Sequence, residues 1–184
     1  QTITEALHKT GKEFGRGYRF SFDMLGEAAA TAADASRYFA AYEAAIHAIG
    51  REAKGGPYAA NGISIKLSAL HPRYQRAQRD RVHAELWPRL VRLVRLARAV
   101  DIGVNIDAEE SARLGLSLEL FERLAADVTL RDWPGLGFVV QAYQKRCFLV
   151  VDWLIELARR SGHRLMIRLV KGAYWDGEIK RAQV

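Results

Sequence analysis

Cysteine is almost missing from this chain: Cys147 stands alone among 184 residues. An internal disulfide is therefore excluded, and the composition fits a reducing compartment. Cys147 itself reads as a small buried hydrophobe rather than a reactive thiol. The five histidines (His8, His47, His71, His83 and His163) show no i,i+4 or similar ligand spacing, and nothing partners them, which argues against a metal site. Long apolar runs are missing as well. Nothing approaches the roughly 18 apolar residues of a membrane span, and Gln1-Thr2-Ile3-Thr4 offers neither an initiator methionine nor a signal-peptide core. The last run, Glu178 to Val184, lacks a helix cap, so both ends read as cut from something larger. A Gly-rich phosphate loop is also absent. Gly-x-Gly occurs only at Gly15-Arg16-Gly17 and Gly135-Leu136-Gly137, ahead of strand-like segments instead of behind them, which speaks against an open dinucleotide-binding sheet.

What is present suffices for one globular domain, with 49% hydrophobic residues and a net charge of +7. Much of that charge is Arg89, Arg92, Arg95 and Arg98, spaced by three beside Leu90, Val91, Leu93, Val94 and Leu96. The pattern is the solvated stripe of an amphipathic helix. No aromatic platform or zinc-finger spacing accompanies it, so a nucleic-acid patch is the weaker reading. The surplus charge suits an anionic ligand or surface.

Short apolar strands alternate with longer helical patterns. Strands are expected to begin near Tyr18, Gly62, Ile102, Leu136 and Arg164, and helices to cover about 32–52, 79–100, 115–126 and 147–161, with another from Trp175. Thr31-Ala32-Ala33-Asp34 has the form of a capping box. Pro88 should kink or divide the 79–100 helix. On the 147–161 helix, Phe148, Val151, Leu154, Ile155 and Ala158 form the face expected to pack on a sheet. Such a rhythm argues for parallel strands.

Four of the strands carry a polar side chain near their carboxyl ends, expected at matching depth: Lys66, Asp107, Gln141 and Arg168. Fully buried strands would read as nearly continuous Val/Ile/Leu runs. With period-two alternation, Ser64, Lys66, Asn105, Asp107, Val139, Gln141 and Arg168 share an inward set. Ile63, Ile65, Val104, Ile106, Phe138, Val140, Leu165, Ile167 and Leu169 face outer helices. Polar groups gathered at strand carboxyl ends are the mark of a (β/α) barrel mouth, and five strands amount to about five-eighths of a barrel. The fold class is thus α/β, an incomplete (β/α)8 barrel, with residues 1–17 as a helical lead-in and 18–184 as the partial barrel.

Lys and Arg together can hold a carboxylate or an anionic cofactor, and Arg does so through a planar fork. Gln donates and accepts, which suits the imide-like edge of a heterocycle. Asp can orient the Lys. No Ser-His or Cys-His pair signals covalent catalysis. A small anionic substrate beside a heterocyclic cofactor fits these residues. A flavin-independent barrel enzyme acting on such a substrate stays open at this point, as does a basic nucleic-acid-binding module. Each residue also has a bland role available: Lys66 snorkelling to solvent, Asp107 capping a helix, Arg168 pairing with Asp107 or Glu109, Tyr143 and Tyr174 packing. Asn105 and Glu109 are structural by default.

Five ordered motifs carry a specific resemblance. They are Asp23-Met24-Leu25-Gly26-Glu27-Ala28-Ala29, the run from Gly62 to Tyr74, Asn105-Ile106-Asp107-Ala108-Glu109-Glu110, Gln141-Ala142-Tyr143-Gln144-Lys145-Arg146 and Arg168-Leu169-Val170-Lys171-Gly172-Ala173-Tyr174-Trp175. Together they resemble the proline dehydrogenase domain of bacterial proline utilization A. The resemblance implies a distorted barrel that binds FAD non-covalently and oxidises L-proline to Δ1-pyrroline-5-carboxylate by hydride transfer from C5 to flavin N5. It implies catalytic roles for Lys66 (at the proline carboxylate), Asp107, Arg168 and Tyr174. Asp107, Ala108, Val139, Gln141, Arg168, Val170, Gly172, Ala173 and Trp175 are implied as the cofactor-binding set. It further implies a membrane quinone as electron acceptor and a cytoplasmic, peripherally membrane-associated, homo-oligomeric parent. That parent would be fused to a pyrroline-5-carboxylate dehydrogenase that uses NAD, with DNA binding confined to an N-terminal segment outside this chain. The family's Tyr-x-x-Arg-Arg-x-x-Glu signature, whose paired guanidiniums clamp the substrate, does not occur here, so the isolated chain is expected to be inactive.

Overall fold

In the computed structural model of the chain, residues 2–24 and 28–184 are described. Residues 25–27 of the first motif lie outside the described residues. The alternating segments become five strands, β1 (Ser21–Phe22), β2 (Gly62–Ile65), β3 (Val104–Ile106), β4 (Leu136–Gln141) and β5 (Met166–Val170). Every neighbouring pair is parallel, and the order in the sheet is the order in the chain. A doubly wound sheet would reverse its order at a switch point. Sequential order with a helix between successive strands is instead the wall of an incomplete (β/α) barrel.

Local chemistry explains the helix boundaries. Helix α1 (Ile3–Gly15) opens on a capping box between Thr2 and Glu5. Helix α2 (Ala32–Glu52) opens on the expected one, with the Thr31 hydroxyl accepting from the Asp34 amide and the Asp34 carboxylate accepting from the Thr31 amide. After the short α3 (Leu67–Leu70), Pro88 divides the next helical run into α4 (Arg79–Glu85) and α5 (Trp87–Ala99), where it sits in the first turn of α5. Helix α6 (Leu114–Ala125) follows β3. Helix α7 (Cys147–Ser161) stops at Gly162, whose left-handed φ of 71° ends it. Helix α8 (Trp175–Ala182) closes the chain.

The outward strand residues Ile63, Ile65, Val104, Ile106, Leu136, Phe138 and Val140 form one core with residues of α2, α5, α6 and α7. Phe138 meets Phe121 of α6 with ring centroids 4.9 Å apart. The arginine stripe of α5 is solvated, and much of it is also committed to neighbours. Arg92 pairs with Glu43 of α2 at 2.7 Å, Arg95 with Asp127 at 2.8 Å, and Arg89 donates to the Leu70 carbonyl.

Two expectations about faces are corrected. On α7 the buried residues are Val150, Leu154 and Leu157, whereas Phe148 is 84% exposed and Ile155 46%. The first turns of α7 are apolar nearly all round, so two faces satisfy helical spacing. Contact with α6 and β4 on one side selects between them. On β5 the aliphatic residues Ile167 and Leu169 do not meet an outer helix; both are exposed. Here β5 is the sheet edge, and α8 buries none of its residues over it.

Candidate active site

Strand register fixes the floor of the site. Ile65, Ile106, Phe138 and Ile167 are paired across β2 to β5. The residue after each, pointing to the opposite face, is Lys66, Asp107, Val139 and Arg168. Arg168 Nη2 donates to Asp107 Oδ1 at 2.9 Å. The other Asp107 oxygen lies 3.1 Å from Lys66 Nζ, and Lys66 Nζ donates to Asp23 Oδ1 at 2.5 Å. Charges thus alternate along the row: Asp23, Lys66, Asp107, Arg168. One layer below, Arg168 Nη1 donates to Ser64 Oγ, itself 3.0 Å from Ser21 Oγ. These contacts link β1, β2, β3 and β5 across a shared inward face. The Lys66 ammonium and the Asp107 carboxylate are paired on this inward face, with side-chain exposures of 17% and 12%. Arg168 makes the ion pair with Asp107 from inside it.

Burial alone would depress the Lys66 ammonium, but Asp23 and Asp107 outweigh burial and hold its pKa above the ordinary lysine value. It is a fixed positive charge.

Gln141 departs from the expected common depth. Register pairs Val139 with Arg168 and Gln141 with Val170, so Gln141 stands two residues nearer the mouth. The reason is length: β4 runs six residues and continues past the row at which β2 and β3 end. Gln141 Nε2 donates to the Glu109 carbonyl at 2.8 Å, which turns Oε1 away; Oε1 is buried with no hydrogen-bond partner among the described residues. Arg168 Nε is likewise buried and without a hydrogen-bond partner among the described residues. Gly172 has φ +115°, and a Cβ there would fall 2.2 Å from the Tyr143 ring and 2.9 Å from Gln141 Oε1. Only glycine lets the backbone pass this close to Tyr143 and Gln141.

Asp107, Ala108, Val139 and Gln141 line one cavity, with Glu109 and Tyr74. Val170 is partly buried next to it, while Ala173 and Trp175 are exposed. Tyr174 is half-buried. Its hydroxyl is pushed up to about 12 by burial and then by the charges of Glu109 and Glu110, so it stays a neutral donor.

Three contributors depend on contacts that spacing does not show. Asp23 follows a strand of only two residues, too short to show alternation. Ser64 was placed on the polar face, but its bond to Arg168 depends on contact between residues 104 positions apart. Glu109 is buried, accepting from the Ser68 amide at 3.0 Å and from Arg113 at 2.7 Å. Burial raises its pKa despite those donors. Its acidity, its burial and its link to Gln141 all depend on tertiary contacts that spacing does not reveal.

Sequential parallel strands with an alternating charge row at their carboxyl ends define one wall of a (β/α) barrel. More particularly, the chain belongs to the proline dehydrogenase family, whose model matches residues 6–184. It is 64% identical over 185 residues to the bifunctional protein PutA of Escherichia coli K12, a match covering 100% of this chain and 14% of that protein. The corresponding protein of Rhizobium meliloti is 58% identical over 98% of the chain. Among solved structures, proline utilization A from Bdellovibrio bacteriovorus superposes with a TM-score of 0.92 at 29% identity, covering 100% of this chain and 20% of that one. A Bradyrhizobium japonicum proline utilization A variant gives 0.86 at 51% identity, covering 94% and 18%. The chain thus spans about one-seventh of the length of the curated relatives it matches. Among the described residues, no helix is long and apolar enough to cross a membrane.

Proposed function

We propose that this chain is one side of a flavin-dependent site that oxidises L-proline to Δ1-pyrroline-5-carboxylate within a longer protein, the first step in converting proline to glutamate. The observation that carries the reading is the Lys66–Asp107–Arg168 row, two cations held by one carboxylate on a shared inward face. Such a row suits a substrate carboxylate next to an electron-accepting ring.

The fit of a flavin rests on atoms that lack partners among the described residues. A buried polar atom left unpaired costs about 1–3 kcal/mol, and Gln141 Oε1 and Arg168 Nε are both in that position. An acceptor at Gln141 matches the imide N–H of a flavin pyrimidine edge, and a donor at Arg168 matches a ring nitrogen. Gly172 lets the backbone come close to Tyr143 and Gln141 at the same end of the strands. Asp107, Ala108, Val139, Gln141, Arg168, Val170, Gly172, Ala173 and Trp175 are the residues we assign to FAD. Bound FAD would supply the hydride acceptor, at N5, for the hydride leaving proline C5.

The chain's own residues have defined tasks in this reading. Lys66 receives the substrate carboxylate. Asp107 keeps Lys66 charged and aims Arg168. The guanidinium of Arg168, fixed before reaction, stabilises negative charge as it develops on the ring. Tyr174, neutral at physiological pH, walls the substrate pocket. Bound as its neutral amine, one ammonium proton having gone to solvent, proline uses its nitrogen lone pair to assist departure of the hydride from C5. The iminium left behind loses its N–H proton to solvent to give Δ1-pyrroline-5-carboxylate, so no strong protein base is required.

We further assign residues 1–17 to an arm and 18–184 to the partial barrel. For the longer protein, we assign electron transfer to a membrane quinone, a cytoplasmic and peripherally membrane-associated location and a homo-oligomeric state. Fusion to an NAD-dependent pyrroline-5-carboxylate dehydrogenase belongs to the same reading, which is supported by the bifunctional relatives. Any DNA binding is assigned to a segment preceding this chain. Purified full-length protein is expected to show a flavin visible spectrum and to reduce an artificial dye when L-proline is added. Colourless protein active on another small anion would overturn the flavin reading. Residues 1–184 alone are expected to show no turnover.

A further inference from the structure

Helix α8 raises the question of what holds it. It buries none of its residues, so apolar packing does not fix its position against the sheet. What it does have is Glu178. Both carboxylate oxygens accept from a single residue of the loop after β3: the Ser111 amide donates to Oε1 at 2.9 Å and the Ser111 hydroxyl to Oε2 at 2.8 Å. The Ser111 carbonyl in turn accepts from Arg146 Nη2 at 2.9 Å, in the loop after β4. Helix α8 and the segments after β3 and β4 are tied at this one residue.

The tie reaches the site through the first turn of α8. The Glu178 amide donates to the Tyr174 carbonyl at 3.0 Å, so fixing Glu178 fixes the backbone of Tyr174. Two residues before Tyr174 the chain turns at Gly172, with φ +115°, and the glycine gives this stretch a conformational freedom that something downstream must remove. Ser111 is also two residues from Glu109, whose carbonyl orients Gln141.

We propose that the Glu178 carboxylate clasping Ser111 is a positioning device for Tyr174: it locks α8 over the mouth and so sets the substrate-pocket wall. Glu178 touches neither substrate nor cofactor and acts only through Tyr174. The kinetic part of this inference rests on the proline-oxidising reading; the structural part does not.

The test uses the full-length protein carrying Glu178→Ala, Glu178→Gln and Ser111→Ala, the last also combined with Glu178→Ala. Loss of the clasp is expected to raise KM for L-proline about tenfold, the size of one charge-assisted hydrogen bond, while kcat changes much less. Glu178→Gln is expected to restore most of the wild-type KM, because its amide accepts from the Ser111 amide and donates to the hydroxyl. Adding Ser111→Ala to Glu178→Ala should cost nothing further, the mark of a shared interaction. Amide hydrogen exchange should quicken over 174–182 in Glu178→Ala and stay unchanged in β2 to β4. Unchanged exchange over 174–182, an unchanged KM, or a Gln variant as impaired as Ala would overturn the proposal. Absence of any proline turnover by the wild type would sink the functional reading instead, and hydrogen exchange alone would then decide the clasp.

Discussion

Asp107 accepts from Arg168 through one oxygen and faces Lys66 through the other, so Asp107→Asn leaves two cations sharing a neutral amide. Removing one member of a buried pair costs about 3–5 kcal/mol. Arg168 keeps a side-chain exposure of 36%, which lowers the expected loss to about 2–3 kcal/mol in a urea titration at neutral pH. The pH dependence has a definite sign. Lys66 has a raised folded pKa, so its contribution is full below the unfolded value of about 10.4 and is lost as pH rises through the folded value. Asp107→Asn leaves Asp23 as the anion bonded to Lys66, and the alkaline loss should shrink. Gly172→Ala tests another residue-level claim. A Cβ at 2.2 Å from the Tyr143 ring, on a backbone with φ +115°, should cost about 1–3 kcal/mol and lower flavin retention by the purified full-length protein. Retention equal to wild type would remove Gly172 from the cofactor cradle. At this scale the sequence reveals those residues that interrupt an apolar strand: Lys66, Asp107 and Arg168 stand out because a buried strand has no other use for them. Asp23 and Glu109 stay hidden, since one follows a two-residue strand and the other acts through the Ser68 amide and Arg113.

At the scale of elements, helix ends were legible because their chemistry is local. The Thr31–Asp34 capping box lies within four residues, and Pro88 divides a helix by removing one donor. Thr31→Ala should therefore cost about 1 kcal/mol in thermal or urea unfolding, and Thr31→Ser should recover it. Helix faces were less legible. The apolar start of α7 offers two faces, and the choice between them belongs to α6 and β4. His163, in the turn between α7 and β5, gives an element-level pH effect. Burial lowers its pKa, partly opposed by its hydrogen bond to the Ala125 backbone and by Asp132. A depressed histidine favours the neutral form when folded, so its contribution is full above about pH 6.5 and is lost as pH falls through the folded value. His163→Gln is expected to flatten that part of the stability profile; an unchanged acid slope would rule His163 out as its source.

At the scale of the molecule, sequential parallel order and inward charge make a barrel wall, and the sheet has edges at β1 and β5. Ile167 and Leu169 of β5, Phe148 of α7 and Trp175 of α8 are all substantially exposed. An uncovered strand edge flanked by apolar surface favours association. Light scattering of residues 1–184 expressed alone should show self-association, and a monodisperse monomer would contradict that expectation. The alternation of strands and helices made the barrel legible without contacts, whereas the depth of Gln141 depended on β4 outrunning its neighbours.

The central claim is that the charge row receives a proline carboxylate at Lys66 beside a flavin. Anaerobic stopped-flow reduction of the full-length protein by L-proline and by pyrrolidine, which lacks the carboxylate, tests it in wild type and in Lys66→Met. The expected result is that Lys66→Met weakens proline binding by about a hundredfold, the worth of roughly 3 kcal/mol for a charged hydrogen bond, and leaves pyrrolidine unaffected. Equal losses for the two amines, or none for proline, would contradict it.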